Sequence, residues 1–372
     1  MQFIDLSKQQ DIIREKIDMR IKKVLDSGKF IMGSEIFELE EKLADYVGVK
    51  HCITCSSGTD ALLIPLIAQG IGPGDAVITT PFSFIATAEV IRLVGATPVF
   101  IDIYPDTFNI NPALIPEAIQ YAIEHGLKPK AIIPVDLFGL PAAYDMINKT
   151  AEENNLFILE DAAQSFGGEI CGQKVCSFGN TASTSFFPAK PLGSYGDGGA
   201  IFTSDDEQAH ILRSIRAHGE GTEKYENIRL GLNGRLDTLQ AAILLEKLSI
   251  FPKEIVKRNH ISEYYTNNMP SQYKAPFVPE NYLSSWAQYS ILLESHQERD
   301  EVIKGLSKKD IPSMIYYQIP LHLQKAFDYL GYQDGDFPIS EKTSGNILSI
   351  PMHPYLETSE QDHILETLHA IL

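Results

Sequence analysis

From Gln9 to Leu25 the apolar residues Ile12, Ile13, Ile17, Ile21, Val24 and Leu25 recur at helical intervals, which predicts a helix with one face on a core. The run Gly28-Lys29-Phe30-Ile31-Met32-Gly33 breaks that period. Ser34 is then placed to cap a second helix through Phe37, Leu39, Leu43 and Val47. Short apolar runs alternate with helical patterns from there on. Strands are predicted at 52–55, 76–80, 97–102, 131–135, 156–159 and 199–203. Helices are predicted at 60–68, 85–93, 114–125, 142–154 and 206–217, the first kinked by Pro65. This alternation predicts an α/β fold, a mostly parallel sheet with helices on both faces.

A polar loop at 218–234 leads into a long helix at 236–248. Beyond Phe251 the texture changes to Pro, Tyr and polar residues, with a strand-like stretch at 287–293 and helices near 298–308 and 360–372. A boundary near residue 250 therefore separates a large α/β domain (1–250) from a smaller α+β C-terminal domain (251–372).

The 372 residues, 44% of them hydrophobic, suffice for cores of that size. The net charge of -18, from 31 basic and 49 acidic residues, disfavours nucleic acid and anionic membranes as partners. An anionic substrate would need a local cluster of donors. The segment Met1–Lys8 has no basic stretch followed by an apolar one, and no apolar run reaches membrane-spanning length. A soluble, cytoplasmic protein is expected. Cys52 and Cys55 form a CxxC, but on a strand that spacing sends the side chains to opposite faces. Cys171 and Cys176 have no His or Cys neighbours at metal-ligand spacing, so buried free thiols and no metal are expected.

Ligands of open α/β sheets bind beyond the carboxyl ends of strands, and three such ends carry unusual residues. Ser56-Ser57-Gly58-Thr59-Asp60 opens a helix with small polar side chains, as an anion cradle or as an ordinary cap. Glu160 and Asp161 follow a buried apolar run, a costly place for two acids. One can cap a following helix, or Asp161 can keep a ring nitrogen protonated, with Gln164 one turn on donating to the same ligand. Pro81-Phe82-Ser83-Phe84 places aromatics after a strand, for the core or for stacking on a planar ring.

The most distinctive stretch is Thr184-Ser185-Phe186-Phe187-Pro188-Ala189-Lys190-Pro191-Leu192-Gly193, followed by Gly196-Asp197-Gly198-Gly199. Pro188 and Pro191 predict a stiffly extended backbone at Lys190, and the glycines predict close approach to something bulky. Lys190 is either an exposed loop lysine or a reactive amine. A phosphate cradle, a stacking ring, an acid for a pyridine nitrogen and a constrained lysine together match what pyridoxal phosphate requires.

In order and in form these motifs resemble the nucleotide-sugar aminotransferases of the DegT/DnrJ/EryC1/StrS family, over essentially the whole chain. Gly231-Leu232-Asn233-Gly234-Arg235-Leu236-Asp237 with Gln240-Ala241-Ala242, Ile319-Pro320-Leu321-His322 and Leu348-Ser349-Ile350-Pro351-Met352-His353-Pro354 extend the resemblance. It implies the type I pyridoxal phosphate (aspartate aminotransferase-like) fold and a homodimer with shared active sites. It also implies Lys190 as the Schiff-base lysine and proton carrier, Asp161 at the pyridine nitrogen, Gln164 at the ring hydroxyl and Phe84 against the ring face. The Gly58 and Thr59 amides and the Ser185 hydroxyl would hold the phosphate, together with Asn233 of the partner subunit.

For the substrate, the resemblance points to Arg235, Tyr316, Tyr317 and His322. Arg235 can grip a carboxylate bidentately or form an interface salt bridge. Tyr316 and Tyr317 fall where the family has a pair approaching the sugar, although the subgroup discussed next has a histidine at the position of Tyr316. His322 is a substrate or interface contact, or a structural histidine. The Phe-Phe-Pro-x-Lys-Pro-Leu-Gly form is similar to that of enzymes that aminate UDP-2-acetamido-2-deoxy-3-keto-glucuronate. The implied reaction is amino transfer from L-glutamate to that sugar, or to another UDP- or dTDP-linked keto sugar, for surface polysaccharide (lipopolysaccharide, O-antigen) biosynthesis. Sugar dehydratases on this scaffold replace the lysine, so an intact Lys190 argues against them. A non-catalytic homologue that retains the cofactor is the rival of another class, and a dinucleotide oxidoreductase lacks its GxGxxG.

Overall fold

The computed structural model describes residues 1–223 and 225–371. In chain order the elements are α1 (Leu6–Ser27), α2 (Ser34–Val47), β1 (His51–Cys55), α3 (Gly58–Ala68), β2 (Asp75–Thr79), α4 (Ala86–Leu93) and β3 (Thr97–Phe100). Then come α5 (Ile115–Glu124), β4 (Lys128–Ile132), α6 (Tyr144–Glu153), β5 (Phe157–Asp161), β6 (Glu169–Ile170), β7 (Gln173–Lys174), β8 (Thr181–Ser185), β9 (Gly199–Thr203) and α7 (Asp206–Arg216). The C-terminal third holds α8 (Thr238–Asn268), β10 (Tyr282–Leu283), β11 (Tyr289–Leu292), α9 (His296–Ser307), α10 (Pro338–Asn346), β12 (Ile347–Ile350) and α11 (Thr358–Ala370).

The main sheet has the order β1-β9-β8-β5-β4-β2-β3. β8, β5, β4, β2 and β3 pair in parallel, and β9 runs antiparallel to both its neighbours, so the sheet is mostly parallel as the alternation predicts. Its two faces are covered by different helices. Cys52 joins the apolar cluster beneath α2 and α8, whereas Cys55 joins the one beneath α3 and α7, so the CxxC side chains do point to opposite faces. All four thiols are free, but Cys171 is exposed where a buried thiol was expected. A second difference concerns Ser34. Gly33 occupies the cap position of α2 and makes no side-chain bond, while the Ser34 hydroxyl bonds Glu35 at 3.1 Å.

β8 was not anticipated, because Thr181-Ala182-Ser183-Thr184-Ser185 contains no apolar run. It is nevertheless wholly buried between β5 and β9. α8 is also longer than its pattern suggested and runs unbroken through Pro252, across the expected boundary near residue 250. Its early residues, to Ile255, pack in the cluster under the main sheet. From Ile261 it packs with β11, β12, α9 and α11 in a separate C-terminal core.

Candidate active site

Residues from five separate parts of the chain converge at the carboxyl ends of β5 and β8. At the start of α3, Ser57 accepts the Asp60 N–H at 3.1 Å, which caps the helix. Among the described residues no acceptor engages the N–H groups of Gly58 and Thr59. A side chain at Gly58 would put its Cβ 2.6 Å from Ser185 Cβ and 2.9 Å from Ser185 Oγ. The glycine therefore lets the Ser185 hydroxyl sit against the helix N-terminus, a set of donors suited to an anion.

Asp161 ends β5, and its carboxylate is buried, accepting from Thr87 Oγ1 at 2.7 Å and from the Ala163 N–H at 3.2 Å. Burial raises its pKa, against those two donors and the charge of Lys190. Its neighbour Glu160 points the other way and holds the loop after β7, accepting from the N–H groups of Cys176, Phe178 (2.9 Å) and Gly179 (3.4 Å). Neither acid caps a helix, because a series of turns follows β5. A further acid, Asp136, lies fully buried beside them. It accepts from Ala142 N–H (2.9 Å), Tyr144 Oη (2.9 Å) and Ser165 Oγ (2.7 Å), while its own N–H donates to the Asp161 carbonyl at 3.0 Å. Burial pushes the Asp136 and Glu160 carboxyls upward in pKa. Sequence reasoning missed both Thr87 and Asp136, since each becomes a neighbour of Asp161 only through the order of the strands.

Lys190 is not in an extended segment. Its N–H donates to the Phe187 carbonyl at 2.9 Å, which closes a turn with Pro188 at the second position, where proline's fixed φ is favourable. Gly193 packs on that turn, its absent Cβ lying 2.4 Å from the Pro188 carbonyl oxygen. The bulky neighbour expected at the downstream glycines is protein backbone: a Cβ on Gly199 would lie 2.4 Å from the Ser57 carbonyl oxygen. Among the described residues no hydrogen bond or ion pair engages the Lys190 amine. Burial lowers its pKa from that of an ordinary lysine, with the Asp161 charge pulling the other way. An unpartnered amine whose pKa burial lowers, beside a buried carboxylate, is suited to a nucleophilic lysine.

The two aromatics after β2 divide their roles. Phe82 is fully buried, with edge contacts to Phe108, Phe138 and Tyr317, whereas Phe84 is 53% exposed and leans on Tyr317 with ring centroids 6.4 Å apart. Gln164 is committed at both ends of its amide, accepting from the Phe138 N–H at 2.8 Å and donating to Tyr317 Oη at 3.1 Å, which leaves one N–H of its amide available. Tyr316 is half-buried next to Tyr317. Asn233 is exposed at the end of the loop before α8, and Arg235 nearby keeps a buried Nε without a partner. His322 is drawn into its own chain. It is 2% exposed, with Nε2 2.9 Å from Glu341 Oε1 and its ring edge-on to Phe337, the arrangement of a structural histidine.

The model of the DegT/DnrJ/EryC1/StrS aminotransferase family matches residues 11–369. The chain is 46% identical to the UDP-2-acetamido-2-deoxy-3-oxo-D-glucuronate aminotransferase of Pseudomonas aeruginosa, over 96% of this chain and 97% of that one. The solved DegT DnrJ EryC1 StrS aminotransferase of Brucella abortus is 49% identical and superposes with a TM-score of 0.96, covering 100% of this chain and 99% of that one. A Bacillus subtilis structure solved with bound cofactor PMP is 30% identical with a TM-score of 0.88, covering 99% of this chain and 83% of that one. The chain belongs to the DegT/DnrJ/EryC1/StrS aminotransferase family.

Proposed function

We propose that this chain transfers an amino group from L-glutamate to a nucleotide-linked keto sugar, with UDP-2-acetamido-2-deoxy-3-keto-D-glucuronate as preferred acceptor. The observation that carries the reading is the unpartnered Lys190 amine, set in the field of Asp161 beside the free amides of α3. Pyridoxal phosphate, whose amine form is PMP, is the cofactor, and the residues fit it. When bound it supplies a reactive aldehyde carbon and a ring that accepts electron density from the substrate carbon.

Each residue then has a defined task. Gly58, Thr59 and Ser185 bind the phosphate by N–H and O–H donation. Asp161 keeps the proton on the pyridine nitrogen, and Thr87 and Ala163 orient its two oxygens. Phe84 covers one ring face, and Gln164 donates to the ring hydroxyl through its remaining N–H. Lys190 holds the cofactor and, when freed, carries the proton at the reacting carbon, a role its lowered pKa favours.

Arg235 supplies the cation for the acceptor's carboxylate, in keeping with its unpartnered Nε, and Tyr316 and Tyr317 flank the sugar. A homodimer completes the site by bringing Asn233 of the partner subunit to the phosphate. The exposed apolar residues Ile228 and Leu230 on the same loop, and Phe30 and Ile31 beside it, support that assembly. Four free thiols accord with a cytoplasmic location, and the amino sugar would serve surface polysaccharide biosynthesis.

The test is amination of a panel of UDP- and dTDP-linked keto sugars by the wild-type chain and by Lys190→Ala. The 3-keto-uronate should be preferred, and Lys190→Ala should abolish both turnover and the absorbance of lysine-bound cofactor. A preference for neutral 4-keto sugars would refute the acceptor, and full activity of Lys190→Ala would refute the site.

A further inference from the structure

One aromatic at the edge of the site has no role in the account above. Phe3 belongs to none of the buried apolar clusters, yet its ring lies 6.3 Å from that of Tyr316. Tyr316 lies 5.8 Å from Tyr317, and Tyr317 lies 6.4 Å from Phe84. Four rings thus form a continuous row from Phe84 to the N-terminal segment. Phe82 backs this row at Tyr317 and is fully buried, whereas Phe84 is exposed and Phe3 and Tyr316 are only half-buried. Tyr316 and Tyr317 pack on the edge of the apolar cluster around Phe82, while Phe84 and Phe3 at the two ends belong to no cluster and keep ring surface accessible.

The segment bearing Phe3 is anchored. Asp5 caps α1 by accepting from the N–H groups of Ser7 (3.0 Å) and Lys8 (3.3 Å). Lys8 Nζ donates to the Tyr355 carbonyl at 3.1 Å and to Glu360 at 3.3 Å, and Gln9 Nε2 donates to Glu254 at 2.8 Å. Ile4, Asp5 and Leu6 line one small pocket together with Pro188, Lys190 and Pro191. Residues 3–6 therefore run from the lysine turn to Tyr316, along one edge of the site.

We propose that Phe3 is a specificity-determining residue for the acceptor half of the reaction, its ring forming the outer apolar wall against a pyranose face of the nucleotide sugar. This rests on the functional reading above. The amino donor is short and charged at both ends, whereas a nucleotide sugar is long and carries apolar ring faces. The outermost ring of the row thus suits the acceptor.

Phe3→Ala and Phe3→Leu, made in the cofactor-loaded full chain, test the assignment. In Phe3→Ala the KM for the keto sugar should rise about three- to tenfold, the range expected for one lost aromatic contact, with kcat changed less than about twofold. Phe3→Leu should show a smaller rise. The rate at which L-glutamate alone changes the cofactor absorbance should stay within about twofold of wild type, and the melting temperature should not move, since the residue lies outside the cores. An unchanged KM in Phe3→Ala would overturn the proposal, as would an equal loss in the glutamate half-reaction. Failure of the wild-type chain to aminate any nucleotide-linked keto sugar would instead overturn the acceptor assignment, and this role with it.

Discussion

Replacing Lys247 with methionine should stabilise the protein near neutral pH. Lys247 lies on α8 with 0% exposure, and its Nζ has no hydrogen-bond partner. Burial lowers its pKa from 10.5 to about 8, against the opposing charge of Glu254. At about 1.4 kcal/mol per pKa unit, keeping it charged at neutral pH costs roughly 3 kcal/mol relative to the unfolded chain. The ammonium also sits 4.4 Å from the centre of the Tyr195 ring, an attraction of ~1–2 kcal/mol for a desolvated cation that offsets part of this cost. Methionine fills similar volume without the charge, so Lys247→Met should gain about 1–2 kcal/mol. The folded pKa lies below the unfolded one, so between about pH 8 and pH 10.5 the unfolded state holds more protons and wild-type stability rises with pH. The variant lacks that contribution, and its advantage should shrink across the window. Urea denaturation of both proteins at about pH 7 and about pH 9.5 reads the difference directly. A variant less stable than wild type at the lower pH, or an advantage that does not change with pH, would refute the reasoning.

Three further outcomes follow from the geometry. Arg216 donates to Glu40 Oε1 at 2.5 Å and to the Thr54 carbonyl at 3.0 Å inside the fold, so Arg216→Met should cost about 3–5 kcal/mol in urea denaturation, and adding Glu40→Gln should recover most of it. Asp161→Asn should keep the fold by circular dichroism yet lower kcat by about 100-fold or more, and an unchanged rate would remove Asp161 from the ring nitrogen. Gly199→Ala would place a Cβ 2.4 Å from the Ser57 carbonyl oxygen, so it should cost about 1–3 kcal/mol and weaken cofactor binding by displacing the start of α3, as measured by titrating the apoprotein with pyridoxal phosphate.

Local pattern alone carried a large part of this protein. Apolar runs alternating with helical periods specify a mostly parallel sheet, because strands buried on both faces are for the most part apolar and parallel neighbours are commonly joined by helical crossovers. Lys190, Asp161 and the Ser57-Gly58-Thr59 turn stand out for the same kind of reason. A charge held between prolines and two acids after a buried apolar run are each unfavourable without a task, and small residues at a helix start leave amide donors open to an anion. Tertiary structure decided what such patterns leave unspecified. β8 is polar in sequence, yet it is buried because Ser183 Oγ and Thr184 Oγ1 donate to the carbonyls of Glu160 (3.1 Å) and Ala162 (3.0 Å), bonds that exist only once β5 lies alongside. Thr87 and Asp136 reach Asp161 by the same strand order, from positions 74 residues away and from a neighbouring strand end. Two rings of one short motif, Phe82 and Phe84, part into core and site because one faces Phe108 and Phe138 and the other faces open space. His322 went the opposite way, into the core against Glu341, because the partners that claim a histidine are chosen by packing rather than by its neighbours in sequence.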